Sequence, residues 1–319
     1  MLRSSLIYPS QAPWAQRLVT GWKFSRRAAS RFIPGDHIEE ALLVVRELNQ
    51  KGICASLNHL GEYSVSPTEA AKATDDNLEL LERIHANGLR ASISIELTQI
   101  GLTLDESLAE QNLARLLGRA TELKSFIRID MENSPYTEAT VRLCRLMRQK
   151  GFSNVGVVIQ AYLYRSEHDL RELITEGTRV RLVKGAYRET RDLVFPKKAD
   201  TNSNYDRLAR LMIDDARSAG SPSISQDGPL PPLVAIGSHD PLRLENAKNY
   251  ALQVGLPRQA IEFQMIYGIR RDLQERYLAE GYPVRVYVPY GTQWYPYFMR
   301  RLAERPANLW FFLSNSLRA

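Results

Sequence analysis

Cysteine is scarce: Cys54 and Cys144 are the only two in 319 residues, too few for a disulfide framework. No CxxC pair is present either, so nothing suggests a thiolate metal site. Both thiols fall in apolar-patterned segments and read as buried structural groups. No apolar run approaches the roughly 20 residues that a membrane-spanning helix needs. The stretch from Met1 to Trp14 has one arginine and no apolar core long enough for a signal peptide, so the chain reads as cytoplasmic. Blocks of like charge are missing too. The 42 basic and 36 acidic residues, a net charge of +6, are spread along the whole chain. That dispersal reads as a solvated surface and argues against nucleic-acid binding. The basic excess favours anionic ligands, phosphate groups or peripheral contact with an anionic membrane face.

What is present is an alternation. Short runs rich in Val and Ile, bounded by polar or glycine-containing turns, fall at Ile53–Leu57, Ala91–Leu97, Phe126–Met131, Val155–Ile159, Val180–Val183, Leu233–Ile236, Ile261–Met265 and Val284–Val288. Between them apolar residues recur at helical spacing, as in Leu80, Leu81 and Ile84, or Val141, Cys144 and Met147. Pro135 after Asn133 and Ser134, and Pro241 after Asp240, mark helix starts. Repeated βα units imply an α/β fold, a (β/α)8 TIM-like barrel, with an open doubly wound sheet as the alternative. Residues 1–50, helical over Ile38–Gln50, are expected to pack outside a catalytic barrel formed by residues 51–319. The Ser-, Gly- and Pro-rich stretch Ser218–Pro232 reads as an exposed loop.

In a barrel, functional groups gather where strands end. Asp130, Gln160 and Lys184 end successive runs, Ser238 and His239 follow the sixth, and Gln264 and Tyr287 lie in the last two. Each alone reads as a satisfied interior polar group; several on one rim read as a site. After a loop at Gly291–Trp294, Pro296 opens a helix carrying Tyr297, Arg300, Arg301 and Glu304 at spacings of three and four. Adjacent guanidiniums beside an aromatic ring form a clamp for a carboxylate or phosphate, with Glu304 placed to orient them. Lys184 at a strand end also fits a Schiff-base lysine.

These residues resemble the bacterial monofunctional proline dehydrogenases, whose barrel also occurs in bifunctional proline-utilising enzymes. The resemblance runs from about residue 28 onward, through Arg128–Glu132, Gln160–Arg165, Arg181–Glu189, Ser238–Asp240, Glu262–Gln264, Tyr287–Gly291 and Tyr297–Glu304. It implies FAD at the barrel mouth and oxidation of L-proline to 1-pyrroline-5-carboxylate, the first step of proline catabolism. Hydride would pass from C5 to flavin N5, with a quinone-type acceptor reoxidising the flavin. Arg300 and Arg301 would hold the proline carboxylate, Tyr287 and Tyr297 would wall the pocket, and Glu304 would fix the arginines. Arg181 would lie near flavin N5, and Asp130 matches a catalytically important aspartate. Met131, Gln160, Lys184, Gly185, Ala186, Tyr187, Ser238, His239 and Gln264 match the flavin-contacting side of the site. The family has no G-x-G-x-x-G loop, and none is present here.

One position departs from the pattern. Where the family motif K-L-T-x-L-G begins with a substrate-binding lysine, this chain has Glu96, followed by Leu97, Thr98, Gln99, Ile100 and Gly101. The local charge changes by two units. Ionised, Glu96 would pair with Arg300 or Arg301 and compete with substrate; in a dry site it would stay protonated. The surviving arginines and tyrosines favour a proline dehydrogenase of lowered activity. The alternatives are a relative that oxidises another cyclic or N-substituted amine, and a flavin-binding protein of little activity.

Overall fold

The structure, a computed structural model, describes residues 29–61 and 63–304, with side chains as far as Arg301. Eight parallel strands close into a barrel in sequence order: β1 (Cys54–His59), β2 (Ala91–Ile95), β3 (Ile127–Ile129), β4 (Val155–Gln160), β5 (Arg179–Val183), β6 (Val234–Gly237), β7 (Ile261–Ile266) and β8 (Val284–Tyr290). The seam pairs β1 with β8 from Cys54↔Arg285 to His59↔Tyr290. The expected (β/α)8 barrel is therefore observed, and the open-sheet alternative is excluded. Two strands are shorter than their apolar runs. β2 stops at Ile95 because the chain turns at once, Gln99 donating to the Glu96 carbonyl at 3.2 Å, and β3 keeps only its central residues. Glu96 and Asp130 are thus the first residues beyond paired strand ends, Ile95 facing Ile129.

The helices are α1 (Ile38–Gln50), α2 (Pro67–Ala86), α3 (Glu106–Glu122), α4 (Ser134–Gln149), α5 (Ser166–Thr175), α6 (Lys198–Ser218), α7 (Pro241–Gln253), α8 (Arg271–Ala279) and α9 (Trp294–Glu304). Several start as the sequence dictates. Ser66 and Asp105 accept from Glu69 and Leu108 N–H groups, and Asp240 caps Leu242 with Pro241 at the first helical position. At α4 the N-cap residue Asn133 makes no side-chain cap hydrogen bond. Glu189, from the loop after β5, accepts instead from the Ser134 N–H at 2.8 Å and from its hydroxyl, placing negative charge at a helix N-terminus.

α1 packs against β1 and β8, burying Ala41, Leu42 and Val45 in the main core. It occupies the outer-ring position beside the strand before α9. α9 joins a second apolar cluster, with Trp294, Tyr295 and Phe298 against Phe32, Ile33, Leu60 and Ile269. Ile266 at the end of β7 and Tyr287 within β8 also touch this cluster, so α9 lies over the C-terminal mouth. The helix begins at Trp294, two positions before the expected Pro296, which still falls in the first turn where its missing N–H costs nothing.

The other end of the barrel is closed by charge. Arg285 and Glu262, both fully buried, pair at 2.9 Å. The guanidinium also donates to the Ala55 carbonyl, to Ser92 Oγ and to the Gly228 carbonyl at 2.7 Å. Residues 218–232 are therefore not simply an exposed loop. Gly228 and the residues that lead into β6 are buried beneath the barrel because this guanidinium needs a carbonyl acceptor there. A side chain at Gly228 (φ +90°) would put its Cβ 2.9 Å from Cys54 Sγ. Cys54 and Cys144 are buried free thiols, and burial raises the pKa of both, that of Cys144 to about 12.

Removing one partner of a buried pair strands the other's charge, which costs about 3–5 kcal/mol. Arg285→Met should lower the free energy of urea unfolding by that amount, and adding Glu262→Leu should recover most of the loss. A single-variant cost below about 1 kcal/mol would mean that the pair does not hold the barrel floor.

Candidate active site

A cavity of about 610 Å³ opens at the C-terminal mouth, within the roughly 300–1,000 Å³ common for small-molecule sites. At its floor Arg181 extends from β5. Its Nε donates to Gln264 Oε1, Nη1 to Asp130 Oδ1 at 2.9 Å and Nη2 to Ser94 Oγ at 3.1 Å. The other Asp130 oxygen accepts from the Tyr287 hydroxyl at 2.8 Å, and the Arg181 guanidinium lies 5.4 Å from the Tyr287 ring centre. Asp130 therefore joins Arg181 to Tyr287. Burial pushes the Asp130 carboxyl up, and Arg181 and the Tyr287 bond pull it back. Burial beside Asp130 holds the Tyr287 phenol well above its ordinary value, so it stays a donor.

The remaining candidates line the same cavity. Met131 and Gln160 follow β3 and end β4; Gln160 Nε2 donates to the carbonyls of Met131 and Glu132 at 3.2 and 2.7 Å. Lys184, Gly185, Ala186 and Tyr187 form the loop after β5. Gly185 (φ +108°) is required there, since a Cβ would meet the Tyr162 ring at 2.1 Å. Lys184 Nζ is bound by Asp240 Oδ2 at 2.6 Å and Asn202 Oδ1 at 2.7 Å. An ammonium fixed between two acceptors is a poor amine nucleophile, which removes the support for a Schiff-base lysine. Ser238 and His239 follow β6. His239 Nε2 accepts from the Ile266 N–H at 2.9 Å, which leaves the neutral ring's proton on Nδ1.

α9 supplies the roof. Its two arginines divide their aromatic partners: Arg301 lies over Tyr297 at 5.1 Å, whereas Arg300 lies over Tyr187 at 5.9 Å. The helical turn aims Arg300 across the mouth toward Tyr187 in the loop after β5. Glu304 belongs to α9, but its side chain is outside the described residues. Glu96 lines the wall beside Asp130 and accepts from Gln99 Nε2 at 3.2 Å. Burial raises its pKa; the Arg300 guanidinium opposes that and Asp130 reinforces it.

Sequence reasoning missed Glu132 and Lys198. Glu132 is fully buried, accepts from the Thr98 N–H at 3.2 Å and from the Thr98 hydroxyl, and interacts electrostatically with Glu96. Burial, then Glu96, pushes its carboxyl up to about 8. Its place after Asp130 in the block Arg128–Glu132 was the available signal. Lys198, on the cavity rim at the start of α6, gave none.

A barrel whose mouth sets an arginine, an aspartate and a tyrosine beneath a roof of arginines defines an enzyme site for a small anionic substrate. The proline dehydrogenase family model matches residues 41–313. The chain is 36% identical to proline dehydrogenase 1 of Bacillus subtilis over 318 residues, the full length of both. It is also 36% identical to the proline dehydrogenase of Deinococcus radiodurans, over all of this chain and 98% of that one. A proline utilization A structure from Bdellovibrio bacteriovorus superposes with a TM-score of 0.79 at 23% identity, over 95% of this chain and 36% of that chain. The chain belongs to the proline dehydrogenase family, whose members are flavin-dependent. It is an oxidoreductase acting on proline, at the first step of proline catabolism, and oxidation of a different amine is not favoured.

Glu132 makes the pH response of the fold predictable. A carboxyl raised from an ordinary 4.5 to about 8 binds extra protons in the folded chain. Its stabilising effect is full at low pH and is lost as pH rises through that window. The urea midpoint should fall between about pH 5 and 8, and Glu132→Gln should flatten the fall. An unchanged slope in that variant would assign the effect to another group.

Proposed function

We propose that the mouth cavity binds FAD with L-proline against it, and that the chain's own side chains orient and polarise that pair. The fit to a flavin rests on Gln160. Its Oε1 is buried without a hydrogen-bond partner among the described residues, while its amide nitrogen is fully used. An imide N–H of a flavin edge would supply that donor. Lys184, Lys198 and His239 on the rim suit a diphosphate and ribose. When bound, FAD would take the hydride from proline C5 at N5 and pass electrons to a quinone-type acceptor.

The chain supplies the rest. Arg300 and Arg301 hold the proline carboxylate by charge-assisted hydrogen bonds, with Glu304 one turn on to orient them. Tyr287 and Tyr297 wall the pocket. Arg181, fixed by Asp130, Gln264 and Ser94, sets positive charge beneath the centre where hydride transfer deposits electrons. Asp130 acts by holding Arg181 and Tyr287. Met131, Gly185, Ala186, Tyr187 and Ser238 complete the surface against the flavin. Glu96, in place of the expected lysine, weakens the hold on the carboxylate, so the substrate's carboxylate end is bound less tightly than with a lysine there. A basic surface would allow peripheral contact with the membrane face that carries the quinone. Among the described residues no helix is long and apolar enough to cross a membrane.

The convergence of these side chains on one cavity carries the reading. Protein purified with FAD should lose its visible flavin band anaerobically on addition of L-proline. Arg301→Met should raise the proline concentration for half-maximal reduction roughly 10- to 100-fold and leave the bound-flavin spectrum intact. A flavin untouched by proline would refute the substrate assignment, and absence of bound flavin would refute the cofactor.

A further inference from the structure

The reaction poses a proton problem that the cavity answers at Glu96. At neutral pH proline's ring nitrogen is a protonated secondary amine, and its lone pair is tied up in an N–H bond. Hydride can leave C5 only if that lone pair is free to form the C5=N bond. A group near the substrate must take the proton first.

Most of the carboxylates around the cavity are engaged. Asp130 spends one oxygen on Arg181 and the other on Tyr287. Asp240 binds Lys184 through Oδ2 and caps α7 through Oδ1. Glu96 differs. Its Oε2 accepts one long hydrogen bond from Gln99, and its Oε1 accepts none among the described residues while the side chain lines the cavity. The strand register sets it beside Asp130 at the mouth, under the same α9 roof as the arginine pair.

We propose that Glu96 is a catalytic base: its open carboxylate oxygen accepts the ammonium proton of bound proline. This rests on the proline-oxidation reading above. The N–H bond breaks as an O–H bond forms on Glu96. The freed pair then makes the C5=N bond while the C5–H electrons leave as hydride to the flavin. The surroundings suit an acceptor that ionises and reprotonates. Burial and Asp130 raise its pKa, and Arg300 from α9 lowers it. Glu132, itself pushed up to about 8, tends to keep its own proton and leaves the negative charge of the pair to Glu96. The phenols of Tyr63, Tyr187 and Tyr287 that face it are all raised by burial and stay neutral.

The test is anaerobic rapid mixing of FAD-loaded protein with saturating proline across a pH series, for the natural chain, Glu96→Gln and Glu96→Lys. Equilibrium binding of tetrahydrofuran-2-carboxylate, a proline analogue with no N–H, is measured alongside. In the natural chain the limiting rate of flavin reduction should level off once Glu96 is ionised. In both variants it should keep climbing about tenfold per pH unit, following the free amine, while the analogue binds at least as well. A levelling profile retained in either variant overturns the base role. Loss of analogue binding in both variants would mean that Glu96 only shapes the pocket, which also overturns it. A natural chain whose flavin proline never reduces would instead overturn the oxidation reading, and the base role with it.

Discussion

One guanidinium holds the working end of this barrel together. Arg181 rises from β5 and reaches Gln264 on β7, Asp130 beyond β3, Ser94 on β2 and the ring of Tyr287 on β8. A single side chain thus ties together strands from opposite sides of the cylinder, which backbone pairing links only to their neighbours. The tie continues downward. Gln264 donates to Glu262, Glu262 binds Arg285, and Arg285 reaches the carbonyls of Ala55 and Gly228 at the far end. A polar column of this kind tolerates no vacancy, because each member is buried and satisfied by the next. Its rigidity is what a site needs if positive charge is to stand ready without rearrangement during the reaction.

The same column marks the boundary of what the sequence made legible. The strands could be read because Val and Ile runs separate cleanly from helical periodicity, and strand ends pointed to Asp130, Gln160, Lys184 and His239. The pairing inside the barrel could not be read. Arg128, Glu262 and Arg285 interrupt apolar runs, and periodicity shows that they face inward without showing which partner each one finds. Asp130 illustrates the limit: its place at a strand end marked it as a site residue, but only the barrel geometry gives its partners, Arg181 and Tyr287. Residues 218–232 failed for the same reason. Their composition is that of an exposed loop, but the Arg285 side chain, remote in sequence, draws the Gly228 carbonyl beneath the barrel.

The roof depends on a different constraint. α1 packs against both β1 and β8 and so covers the seam that a final barrel helix would cover. With the seam buried, α9 gains more by laying Trp294, Tyr295 and Phe298 against Phe32, Ile33 and Leu60 over the mouth. That displacement carries Arg300 and Arg301 above the cavity. Helical spacing alone announced a clamp on one helix face; only the placement of α1 explains why that face looks down into a barrel.

Charge balance then decides what Glu96 does to the site. Arg181 answers Asp130, Arg285 answers Glu262, and Lys184 answers Asp240, so these pairs add little net field at the mouth. Across the mouth Arg300 of α9 acts on Glu96, with Glu132 raised behind it. A lysine at this position would set a second cation facing Arg300 and suit the carboxylate of the substrate alone. A carboxylate divides the cavity into a cationic roof and an anionic wall, and proline is itself divided the same way. Arg300 feels both the substrate carboxylate and Glu96, so the carboxylate end is held less tightly. The ammonium end gains an anion where the relatives' motif has a cation. The substitution therefore moves binding from one end of a zwitterion to the other, and that transfer keeps the site suited to proline.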